Sequence, residues 1–228
     1  MIPATAKLGL IDKFDNMEVV RDQIAGILVL ELTNQAKLAA EAGKDKRLWE
    51  VKVFTERTNP WSDYVNAPDD ELDATPIINV WYDRASVDQK ASNPVERQRH
   101  NATFNIDCYA YGVSKETSAG HIPGDQVARE ASHRTVRLAR NILMASEYIY
   151  LAMQGIVGKR MTRDISTLEA AIDARNVQQI AALRLSLDVQ YNEFSPQFTP
   201  EILEGITVEI KRKDFSGQIY LTAEYPNP

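Results

Sequence analysis

The stretch Ala102-Thr103-Phe104-Asn105-Ile106-Asp107-Cys108-Tyr109-Ala110 decides the fold. Ala102, Phe104, Ile106, Cys108 and Ala110 alternate with Thr103, Asn105, Asp107 and Tyr109, a period of two that puts the apolar residues on one face of a strand. The pattern recurs where Ala181, Leu183, Leu185, Leu187, Val189 and Tyr191 alternate with Ala182, Arg184, Ser186, Asp188 and Gln190. A slip of one residue in either strand would turn every apolar side chain to the wrong face, so register is strongly specified. Weaker alternation at 49–55, 77–83, 206–211 and 219–225 predicts four further strands, the last two joined as a C-terminal hairpin at about 205–225.

Two segments carry helical periodicity. The first runs from Asn16 to about Glu41, with Asp15 or Asn16 as N-cap and Gly43 as stop. Val20, Ile24, Ile27, Leu28 and Leu32 make its core stripe, and Val19, Val29 and Leu30 add an apolar flank. Such a helix calls for cover on more than one side, from its own sheet and from a neighbouring subunit; a buried strand over 24–32 is the competing reading. The second helix is expected from Gly124 or Asp125 to Tyr150, with Val127, Ala131, Arg134 or Thr135, Leu138, Ile142, Ala145 and Ile149 inward. Its opposite face carries Arg129, His133, Arg137 and Arg140.

No internal repeat or Pro/Ser-rich linker splits the 228 residues, so the expectation is one α+β domain over 1–228. Its sheet is mostly antiparallel with helices packed on one face. Polar stretches at about 56–75 and 84–101 lack any buried pattern and read as long loops, of a length that compact domains keep only where the loop binds something or is disordered.

Composition narrows the function without naming it. A net charge of −6 has the wrong sign for a protein that wraps nucleic-acid phosphates by global charge. A single cysteine, Cys108, excludes an intramolecular disulfide framework and points to a reducing compartment. Met1 to Leu10 lack the features of a signal peptide, and the apolar stretch Ile24 to Leu32 is half a membrane span, so no membrane role is expected.

The motifs of catalysis are missing from the pattern. Gly155, Gly158 and Lys159 resemble the tail of a P-loop, but Met153 and Arg160 hold the positions where that loop needs Gly and Ser or Thr. They read instead as a broken helix C-terminus. His100, His121 and His133 are too scattered for a metal site or a triad, and Cys108 falls on the apolar face of its strand. No cofactor, metal or catalytic residue is therefore assigned. Asp69, Asp70, Glu71 and Asp73 lie in a run from 63 to 83 that has no base, and they complement the basic stripe Arg129, His133, Arg137 and Arg140. Unlike surfaces of this kind suit a head-to-tail ring, which makes both sets candidate subunit-interface residues.

The assembled order resembles the bacteriophage tail terminator (tail completion) family. The likeness rests on the opening amphipathic helix, the strand Pro76-Ile77-Ile78-Asn79-Val80-Trp81-Tyr82, the long polar loop, and the strand from Ala102 to Gly112. It continues through the long helix containing Ala139-Arg140-Asn141-Ile142-Leu143 and the strand Leu183 to Tyr191. The resemblance implies a tail-terminator-like fold and a virion protein, assembled in the host cytoplasm. It implies a ring, hexameric in this family, that ends the tail tube and joins it to the head–neck connector. Its partners would be itself, the tail tube protein and connector proteins, with DNA passing through without sequence-specific binding. Arg97, Arg99 and His100 would be tube- or neck-contact residues. Another neck or baseplate ring protein is the alternative, and a small ligand-binding domain, an enzyme or a nucleic-acid regulator stands behind it.

Overall fold

A computed structural model describes residues 10–65, 75–118, 120–168 and 179–195, together with the backbone of 205–211 and 219–226. Helix α1 spans Asn16–Glu41, α2 Ser62–Val65 and α3 Gly124–Leu143. The strands are β1 Lys52–Thr55, β2 Ile77–Val87, β3 Arg97–Tyr111, β4 Lys115–Thr117, β5 Gly120–Ile122, β6 Val157–Leu168, β7 Ile180–Phe194, β8 Gly205–Lys211 and β9 Ile219–Pro226. The main sheet has the order β1-β2-β3-β7-β6, parallel only between β1 and β2. The architecture is thus α+β with a mostly antiparallel five-stranded sheet.

β3 and β7 form the centre, paired over fifteen positions from Arg97↔Phe194 to Tyr111↔Ile180. One face of the pair presents Phe104, Ile106, Leu185 and Leu187, all inaccessible to solvent, to Ile24 and Leu28 of α1 and to Ala139 and Leu143 of α3. Burying each large apolar side chain contributes about 1.5–3 kcal/mol. The segment 24–32 is helix rather than strand. Glu18 accepts the Asp15 backbone N–H in a capping box, and Asn16 is pinned to β7 through Glu193 and the Asn192 carbonyl. At the other end Gly43 takes φ 69° while the Lys44 N–H reaches the Ala39 carbonyl, closing a Schellman turn.

Helix α3 is rolled relative to the sequence expectation. Ala128, Ser132, Thr135, Val136, Ala139, Ile142 and Leu143 are buried; Val127, Ala131 and Leu138 are only half-buried, and Ile149 is exposed. The cause is a backbone contact between Gly112, just after β3, and Gly124, at the start of α3. A Cβ on Gly112 would stand 2.0 Å from the Gly124 carbonyl oxygen and 2.4 Å from the Ala128 nitrogen. So close an approach selects small residues along the buried stripe. The helix also stops at Leu143 rather than Tyr150, and Arg160 of β6 donates to the carbonyls of Ala145 and Tyr148 beyond its end.

Strand β6 carries no apolar alternation in the sequence, because it is an edge strand on which most side chains are exposed. Register shifts at Gly158 and Arg163 mark bulges on it. The polar stretch 84–101 is also shorter as a loop than its composition suggests: β2 continues to Val87 and β3 begins at Arg97. Backbone pairing of β2 with β3 and of β3 with β7 carries these residues into the sheet beyond the end of the core, where most side chains are exposed and leave no hydrophobic signature.

Where the sequence suggests a single domain, the chain divides into two compact units, Met1–Ser195 and Pro196–Pro228. In the second, β8 and β9 pair antiparallel with each other.

Gly112→Ala is expected to destabilise the first unit by about 2–3 kcal/mol, because backbone rather than a flexible side chain occupies the space. Gly26→Ala, mid-helix with nothing within 4 Å, should stabilise by about 0.5–1 kcal/mol. Denaturant unfolding measures both.

Candidate functional site

The basic residues of α3 fall together. Arg129, His133, Arg137 and Arg140 are all exposed, at spacings of four, four and three that keep them on one flank of the helix. Among the described residues none of these side chains has an ion-pair or hydrogen-bond partner. Arg140, in the last turn, also complements the negative end of the helix dipole. The acidic residues Asp69, Asp70, Glu71 and Asp73 lie outside the described residues.

Arg97, Arg99 and His100 sit on β3 and do not converge. Arg97 and Arg99 are two apart and share a face, whereas His100 pairs with Tyr191 on the helix-covered face. There its ring stacks on Tyr191, with centroids 5.6 Å apart and planes 16° from parallel. The connection between β2 and β3 is organised by Asn93, which donates to the carbonyls of Asp88 and Ala91 and accepts the Arg99 backbone N–H. The turn is therefore held in shape and presents Lys90, Val95 and Glu96 to solvent.

The helix-free face of the sheet carries a polar network that composition did not reveal. Asp107, only 4% exposed, receives Arg184 through two hydrogen bonds of 2.7 and 2.9 Å and the Trp81 indole N–H at 2.8 Å. The Arg184 guanidinium lies 4.8 Å over the Trp81 ring. One layer along, Ser186 donates to Asn105 at 2.9 Å; in the next, Thr103 donates to Asp188 at 2.7 Å and receives Arg163 at 3.1 Å. The pattern shows why these residues alternate with the core: each is half of a cross-strand pair of β3 and β7. Which residue pairs with which depends on register, and register is invisible until the strands are aligned.

At one end of this face the segment after β1 folds over the sheet. It starts at Glu56, in the left-handed region at φ 52°, whose carboxylate accepts the Tyr82 N–H. Asn79 clasps the Arg57 backbone through both its amide oxygen and nitrogen, and Arg57 grips Asp63 at 2.8 and 2.9 Å. The Arg57 hydrogen bonds hold the Asp63 carboxyl below its usual range. Tyr64 of α2 then packs on Ile77, Tyr109 and Ala182. Between these parts lies a cleft of about 360 Å³ walled by Arg57, Trp61, Trp81, Asp107, Tyr109 and Arg184. Its guanidiniums are already matched by carboxylates, and burial pushes the Tyr109 hydroxyl up.

Burial likewise pushes the Cys108 thiol up, away from reactivity. Among the described residues no group of three or more His, Cys, Asp and Glu could hold a metal ion, and no helix is long and apolar enough to cross a membrane.

Asp107→Ala is expected to cost about 1–3 kcal/mol, since it leaves the partly exposed Arg184 guanidinium and the Trp81 indole N–H without their acceptor. Arg163→Ala, at a more open pair, should cost under about 1 kcal/mol. For Asp63 the folded pKa is depressed, so its contribution holds above the unfolded value of about 4 and is lost as pH falls below it. Asp63→Asn should therefore flatten the acid limb of a stability–pH curve, read by chemical unfolding between pH 2 and 6.

No protein-family model matches the chain, and no curated protein matches it at significant similarity.

Proposed function

We propose that this chain is a structural subunit of a bacteriophage neck, forming a ring that terminates the tail tube and joins it to the head connector. One observation carries the reading: a continuous flank of four exposed basic residues on α3, with no partner among the described residues. Solvated arginines are common singly, but four aligned over three turns form a surface able to engage a neighbour's carboxylates. Joined to an unlike, acidic surface on the next copy, such a flank closes a ring by rotation.

The element order supports the same reading. A long helix, strands in pairs, a second long helix and further strands follow the sequence that the tail terminator resemblance implies. The polar network opposite the helices suits a stiff plate that carries contact surfaces. The shaped turn between β2 and β3 projects from this plate and is the contact proposed for the tail tube or the next ring. The cleft beside Trp81 is the feature that an enzyme or ligand-binding reading would use, but its polar groups already bind one another.

Mass measurement at high concentration should find a ring of about six copies, and imaging should place it between tube and connector rather than in another neck layer. Arg137→Glu with Arg140→Glu should weaken association by at least tenfold with the melting temperature unchanged; an unchanged oligomer would remove this flank from the interface. Shortening the turn within 89–95 should leave the sheet folded and abolish tail joining. Normal infectious particles from that variant would exclude the turn as a contact.

A further inference from the structure

Five strands spaced by about 4.8 Å make the main sheet about 24 Å wide, whereas two helices packed about 10 Å apart cover about 20 Å of it. The strip left over is β6, since α1 packs on β1, β2 and β7 and α3 on β3 and β7. Ile165 and Thr167 of β6 stand opposite Leu185 and Leu183, so both face the helix-bearing side. Ile165 is nevertheless 46% exposed, and Thr167 is exposed too. The wall of this shelf is α3. Leu138, Asn141 and Ala145 line a groove with Glu31 and Gln35 of α1, and a period of 3.6 residues per turn puts Arg129, His133, Arg137 and Arg140 on the other flank, towards β6. Met144, one turn beyond Arg140, is also exposed.

On the far side of the helix layer, α1 turns an apolar stripe away from the sheet. Val19, Val29 and Leu30 remain 38%, 50% and 64% exposed on it. Gly26 stands at its centre, with nothing within 4 Å of where a Cβ would be. A glycine in mid-helix is destabilising, and here it gives another chain close access to the backbone. Asp12, Asp15 and Asp22 are exposed at the start of the same helix and complement a basic flank. The lengths match as well: Val19 to Leu30 and Arg129 to Arg140 are eleven residues apart each, about 17 Å along a helix.

We propose that the outward stripe of α1 docks on the β6 shelf of a second copy of this chain, beside the basic flank of α3. The guest helix continues the neighbour's helix layer across the strand that its own two helices leave open. Stripe and shelf are unlike surfaces on opposite sides of one helix layer, so each copy can give α1 to one neighbour and receive α1 from the other. The choice of a second copy as occupant rests on the ring reading.

The chain's single cysteine is buried, which makes disulfide trapping clean. Full-length protein carrying Leu30→Cys with Ile165→Cys should give, on oxidation, a reducible series of linked subunits, and a mixture of the two single variants should give linked pairs. Within one chain α3 lies between the two positions, so the link reports on contact between copies. No link, or a link confined to monomers, overturns the proposal. Leu30→Glu should weaken association at least tenfold with the melting temperature unchanged; unchanged association overturns the docking of the stripe. Mass measurement on the same samples separates the two readings. Rings of about six copies without linkage would reject the docking and keep the ring, whereas linkage that stops at pairs would keep the docking and reject the ring.

Discussion

The antiparallel pairing of β3 with β7 is the constraint on which the rest of the first unit depends. Fifteen successive positions are matched, and alternation commits each residue to one of two faces. The apolar half receives both long helices, while the polar half builds the Asp107–Arg184–Trp81 cluster and the Asn105–Ser186 and Thr103–Asp188 bonds. A shift of one position would break the core and every polar layer together. The buried polar groups therefore add specificity of register to the cohesion supplied by Phe104, Leu185 and Leu187.

Helix placement follows from the same pair. Asn16 binds the end of β7 and fixes where α1 begins, and Gly112 at the end of β3 lets Gly124 touch backbone to backbone and fixes where α3 begins. With both starting points set by strand ends, the flank bearing Arg129, His133, Arg137 and Arg140 is left facing outward. The surface proposed for assembly is thus a geometric consequence of two glycines as much as of four basic residues.

How much of this was legible in the sequence depended on how each residue earns its position. β3, β7 and both ends of α1 follow from apolar alternation and cap chemistry, which are local and strong. The exposure of the α3 arginines was legible for the same reason. β6 and the outer halves of β2 and β3 were not, because backbone hydrogen bonds hold them while their side chains face water. The roll of α3 escaped because it depends on a glycine contact twelve residues apart in sequence. The Asp107–Arg184 pair, seventy-seven residues apart, was visible only as two polar residues on their respective strands.

The bulges of β6 bear on how such a subunit stops growing. An open sheet edge invites another chain to add a strand, and repeated addition yields a fibre of indefinite length. Here one edge is broken by bulges at Gly158 and Arg163, and the other carries only the four-residue β1 beside Ile77–Val80 of β2. In the ring proposed above, copies of this unit would meet through faces, whose fixed angles close the assembly by rotation. A sheet whose edges are short or bulged favours meeting through faces, which suits the proposed ring with its definite number of copies.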